Sequence, residues 1–139
     1  MAQNVVLHPL SALYYRIDGN FTKLYAYYAP GTGKAAMACI EDILALLFKF
    51  RFLECFATRD YMQSMKDTTT ATDSALITSA ADKWSSIRSA VLSNETWARL
   101  RACKCEAGDS KGKSKSRDAC LDDLQVCFTE VDKQLNPAV

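Results

Sequence analysis

Glycine and proline are scarce, with 5 and 3 residues in 139. That shortage excludes collagen-like and Pro-rich disordered chains, and it argues against a small β-barrel dense in turns. Histidine is scarcer still, because His8 stands alone. One His cannot supply a two-His metal site, and no Cys lies beside it in sequence to form a nucleophile–base pair. Net charge is nearly absent. The 17 basic and 16 acidic residues leave +1, so no global field points to nucleic acid or to an acidic partner. A long uncharged apolar run is also missing. The most apolar stretch, 35–57, carries Glu41, Asp42, Lys49, Arg51 and Glu54. Each charge would cost about 2.5–3.5 kcal/mol near the centre of a membrane span, so no span is expected. The first ten residues lack a basic flank and an apolar run before Pro9. No secretory signal peptide is expected from them, and a cytoplasmic location follows if Met1 is the native start.

What the chain does have is apolar content, at 49%, and six cysteines. The length allows one domain over 1–139 with a core that needs no disulfides. In a reducing compartment the six thiols read as structural. Cys120 and Cys127 lie seven residues apart, about 10.5 Å along a continuous helix, too far to share a zinc or a disulfide. Cys103 or Cys105 can meet Cys120 across a helix–loop–helix turn, which is one disulfide option. Cys39 and Cys55 cannot pair with each other on one helix. The residues supply no metal or cofactor set.

Periodicity gives four apolar segments. Residues 8–28 are aromatic-rich, with Tyr14, Tyr15, Phe21, Tyr25, Tyr27 and Tyr28. Pro9 suits a first helical position. Asp18-Gly19-Asn20 is a turn signal, so two short helices, or a helix and then an extended piece over 21–28, are expected. Residues 34–66 form a central helix, with Ile40, Ile43, Leu44, Leu47 and Cys39, Ile43, Leu46, Phe50, Leu53 as adjoining stripes. Phe48-Lys49-Phe50-Arg51-Phe52 alternates with period two, a strand signal for which the chain shows no partner strands. A Thr-rich loop over 67–74 precedes a third helix over 73–105, capped by Thr72 or Asp73 and breakable near residue 94, where Asn94 can cap the continuation. Residues 107–117 are hydrophilic and read as a flexible basic loop. The last helix, 118–135, carries Cys120, Leu124, Cys127, Phe128, Val131 and Leu135 on one stripe. The expected fold is all-α: an antiparallel four-helix-type bundle with a mobile basic loop between the last two helices.

Charge is uneven along this order. Residues 99–117 sum to +5 and residues 118–139 to −4. Arg99, Arg101, Lys104, Lys111, Lys113, Lys115 and Arg117 are therefore candidate contacts for an anion or for nucleic acid. Few aromatics are interleaved with them, so base stacking is unsupported. Tyr14, Tyr15, Tyr25, Tyr27 and Tyr28 form a candidate interaction surface, since Tyr is enriched at binding interfaces.

Two stretches resemble known families. Ala29-Pro30-Gly31-Thr32-Gly33-Lys34-Ala35-Ala36 resembles part of the phosphate-binding loop of AAA-type ATPases. It departs from that motif at Tyr28, where the first Gly should stand, and at Ala35, where the magnesium-binding hydroxyl should stand. Phe56-Ala57-Thr58-Arg59-Asp60, the Thr-rich loop and Ser85-Ser86-Ile87-Arg88-Ser89-Ala90 resemble the central helices of rod-shaped plant-virus coat proteins. The chain ahead of this stretch is shorter than in that family and the cysteine content differs. The resemblance implies a four-helix subunit and makes Arg59 the RNA-phosphate contact.

The expected function is a non-enzymatic interaction or assembly protein that works through a protein partner or self-association. Two alternatives stand beside it. One is an RNA-binding coat-like subunit. The other is a cofactor-free enzyme or a secreted, disulfide-stabilised helical factor.

Overall fold

A computed structural model describes residues 7–28, 34–65, 73–102 and 111–136; side chains of 34–36 and 111–115 lie outside that description. Every regular element among the described residues is helical. They are α1 (Pro9–Tyr28), α2 (Lys34–Lys49), α3 (Glu54–Ser64), α4 (Asp73–Val91), α5 (Asn94–Ala102) and α6 (Lys111–Leu135), with one 3-10 turn at Arg51–Leu53.

α1 and α6 form the principal pair of the fold. On α6, Leu121, Leu124, Phe128, Val131 and Leu135 are buried at alternating spacings of three and four, the seam of a helix packed on its neighbours. Leu10, Ile17, Phe21, Leu24 and Tyr28 make the matching stripe on α1. Polar contacts fix how the two helices meet. Arg16 forks onto Asp123, and Asn20 Nδ2 donates to Asp123 Oδ2 at 2.6 Å. Eleven residues further on, Tyr27 lies under the guanidinium of Arg117 at 5.8 Å. As α1 advances α6 recedes, so the two run in opposite directions.

The expected turn at Asp18-Gly19-Asn20 is not formed, and neither is an extended piece after it. α1 passes through both as one helix. Gly19 has no neighbour within 4 Å of the position a Cβ would take. The turn-forming side chain of Asn20 is engaged elsewhere, on the Arg16 carbonyl at 3.0 Å and on Asp123. Tertiary partners thus remove the local bonds that would have favoured a turn.

The expected central helix over 34–66 is divided at Phe50. Phe50 N–H bonds Leu47 O and Leu53 N–H bonds Phe50 O, both at 3.0 Å, which are the tighter i to i+3 bonds of a 3-10 turn. The break turns Phe50 and Leu53 inward together and leaves Phe48 63% exposed. The period-two alternation of the three Phe residues marks this kink, not a strand. Phe50, at the break, stacks on Phe128 at 4.1 Å, with Trp84 against Phe50 and Trp97 against Phe128, so an aromatic cluster joins the break, α4, α5 and α6 within the core.

The break expected near residue 94 is present. The end of α4 is closed by side chains of α5: Trp97 Nε1 donates to Val91 O at 2.7 Å and Thr96 Oγ1 to Ala90 O at 3.1 Å. Asn94 is itself the first residue of α5. α4 begins at Asp73, and Thr72 lies outside the described residues. The basic segment differs most from expectation. α6 starts at Lys111, so 111–117 are helical instead of loop, and 107–110 lie outside the described residues. Lys and Arg are good helix formers, and the extra turns carry Arg117 onto Tyr27 and Tyr28.

Candidate functional site

The five tyrosines of the candidate surface do not share one face. Tyr15 and Tyr25 are exposed, at 58% and 48%. They stand ten residues apart on α1, about 15 Å along its axis and about 80° apart around it. Tyr14 is half-buried, edge-on to Tyr15 at 5.4 Å. Burial, then the carboxylates of Glu54 and Asp18, push its hydroxyl above its ordinary pKa. Tyr27 is half-buried against Tyr28 at 4.8 Å. Tyr28 is a core residue. Its hydroxyl donates to Leu100 O at 3.3 Å, and burial raises its pKa to about 12.

The described cations of the candidate anion surface are tied to acids of the same chain. Arg59 forks onto Asp73 through Nε at 2.9 Å and Nη2 at 3.0 Å, and reaches Asp60 Oδ1 through Nη1 at 2.7 Å. Its side chain is 11% exposed. Arg99 meets Asp42 at 3.2 Å. Arg101 bonds Asp122 and Gln125 and approaches Asp118. Arg117, also on Asp118 at 3.2 Å, is buried with its guanidinium over the Tyr27 ring. Asp118 thus holds Arg101 and Arg117 together. Lys104 and the side chains of Lys111, Lys113 and Lys115 lie outside the described residues.

The phosphate-loop resemblance needs a strand before residues 29–33. Residues 21–28 are helical instead, and the loop itself lies outside the described residues.

The cysteines divide. Cys55, Cys120 and Cys127 are free thiols, so the disulfide option through Cys120 is not taken. Burial raises the pKa of all three, that of Cys127 to about 11. A thiol held protonated is a poor nucleophile, which argues against cysteine chemistry at these positions. Cys39 is disulfide-bonded, so the reading of all the cysteines as free structural thiols does not hold.

A hollow of about 80 Å³ opens between α2 and the α4–α5 junction, rimmed by Asp42, Lys49, Thr96 and Arg99. It is far smaller than the ~300–1,000 Å³ of typical small-molecule sites. Among the described residues no group of three His, Cys, Asp or Glu side chains is placed to hold a metal, and no helix is long and apolar enough to cross a membrane.

Several exposed apolar side chains are not singled out by the sequence, and the most exposed are Phe48 near the end of α2, and Tyr61 and Met65 one turn apart at the end of α3. The alternation around Phe48 was the available signal. No sequence signal separates Tyr61 from a core Tyr. His8 was also missed. It is buried, although a lone His beside Pro9 reads as part of a flexible end. No protein-family model, no curated protein and no solved structure matches the chain significantly, so its residues and their geometry carry the functional argument.

Proposed function

We propose that this chain is a non-enzymatic helical interaction protein, an antiparallel four-helix-type bundle that works through protein contacts, self-association first among them. One observation carries the reading. Arg59, Arg99, Arg101 and Arg117 are engaged by acids of the same chain, while Tyr15 and Tyr25 stand outside the core on α1. A cation spent on an internal carboxylate must give that bond up before it neutralises a phosphate. An exposed Tyr offers a large, rigid, amphipathic contact at no such cost.

Sedimentation equilibrium tests this reading. The wild type should self-associate reversibly with rising concentration. The Tyr15→Ala/Tyr25→Ala double variant should shift at least tenfold toward monomer with unchanged helicity. A wild type that stays monomeric throughout, or a variant that associates equally well, contradicts the proposal.

A second reading has its own support. Disulfides persist in oxidising compartments and are rare in the cytosol. The bonded Cys39 therefore favours a secreted, disulfide-stabilised helical factor over a cytoplasmic protein. Contact through α1 suits either location.

A further inference from the structure

The first turn of α1 is closed by an imidazole. Pro9, its first residue, has no N–H, so Leu10 presents the first backbone donor. That N–H donates to His8 Nδ1 at 3.1 Å, and His8 O accepts from Ser11 and Ala12. The His8 backbone N–H donates to Asp60 Oδ1 on α3 at 3.2 Å, and the ring lies on Phe56 of α3 at 4.6 Å. The charged groups facing the ring are Asp60 and Arg59 from α3 and Asp73 from α4. Asp60 is buried, and its Oδ2 has no hydrogen-bond partner.

We propose that His8 is an acid-sensitive latch holding the start of α1 onto α3, closed when the imidazole is neutral and opened by one proton. The cap needs the Nδ1 lone pair. A proton there turns the acceptor into a donor that faces the Leu10 N–H, so the capping bond is lost. Nε2 cannot replace it without turning the ring off Phe56. Opening frees residues 7–10 from Asp60 and exposes the Phe56 ring, an apolar surface absent from the closed form.

Burial, the largest influence, and Arg59 favour the neutral ring, and outweigh the attraction of Asp73 and Asp60. The pKa of the folded form consequently lies below the ordinary 6.5. A group with a lowered pKa in the closed state binds its proton more readily when open. The latch is fully closed above about pH 6.5 and loosens as pH falls through that value toward the folded pKa. His8 is the chain's only His, so no other side chain with an ordinary pKa titrates in this window.

Hydrogen exchange on the full chain at pH 7.0 and 5.5 tests the latch, with rates corrected for intrinsic chemistry. In the wild type, protection at the Leu10, Ser11 and Ala12 amides should fall several-fold, up to the limit of about eightfold that linkage gives for an open-state pKa near 6.5. His8→Asn keeps a side-chain acceptor for Leu10 and cannot titrate. Its protection at the same amides should not change. The Phe128 and Val131 amides of α6 should keep theirs in both proteins. Parallel loss in wild type and variant overturns the proposal, as does equal loss at α6, which would mean global unfolding instead of a latch. So does a wild-type His8 ring titration by NMR with a midpoint at or above 6.5, a measurement that needs no variant.

Discussion

Phe128→Ala should cost about 3–5 kcal/mol of folding stability, the range for emptying a buried aromatic site. Phe128 stacks on Phe50 at 4.1 Å and meets Trp97 at 5.3 Å, and it is fully buried. Its loss removes the common neighbour of the 3-10 turn and of α5. Val126, two residues away, is half exposed, and Val126→Ala should stay within about 0.5 kcal/mol of wild type. Urea unfolding followed by circular dichroism at 222 nm measures both. A Phe128→Ala loss under about 1 kcal/mol would mean that the ring is not at the centre of the core.

The second large effect is expected at Asp132. Its Oδ1 accepts from Trp84 Nε1 at 2.7 Å, and Arg88 forks onto both oxygens at 2.6 and 3.1 Å. Trp84 is almost wholly buried. Asp132→Ala leaves its indole N–H without an acceptor, at about 1–3 kcal/mol. Asp132→Asn keeps an acceptor oxygen and should lose distinctly less. Equal losses from Ala and Asn would show that the Arg88 pair, not the indole, uses this carboxylate. The hydrogen bond from Arg88 also holds the Asp132 carboxyl below its ordinary pKa. Arg59 does the same for Asp73 and Arg16 for Asp123. A lowered carboxylate pKa adds stability that is present above about pH 4 and lost as pH falls below it. That acid limb lies well below the His8 window, so the two separate in a pH series.

How far the sequence showed this fold depended on where each signal came from. The all-helical class was legible because the α6 stripe repeats at three and four over four turns, a pattern a strand cannot use. Pro9 marked the start of α1 for the same local reason. Long-range contacts hid the rest. Asn20 reads as a turn residue until Asp123, 103 positions away, takes its amide. His8 reads as idle until Asp60 takes its backbone N–H from 52 positions away. Tyr27 and Tyr28 are neighbours in sequence, and only the approach of Leu100 and Arg117 decides which ring is buried. The basic run read as a loop because its composition is hydrophilic, and composition does not register that Arg117 gains a ring and a carboxylate when the helix continues. Arg59 was picked out by a resemblance, while its local partner was the adjacent Asp60.

On the proposed reading the described arginines of the candidate surface serve the fold, while apolar contact serves the function. The most direct test is the affinity for single-stranded RNA, measured by fluorescence anisotropy across a salt series. A protein that holds phosphates loses affinity with a log–log slope of about −0.7 per contact. Only weak binding is expected at low salt and none detectable near physiological salt. Replacing Lys111, Lys113 and Lys115 with Gln should change little. Tight binding that falls steeply with salt, with a slope reduced by about two units in the triple Gln variant, would overturn the protein-contact reading.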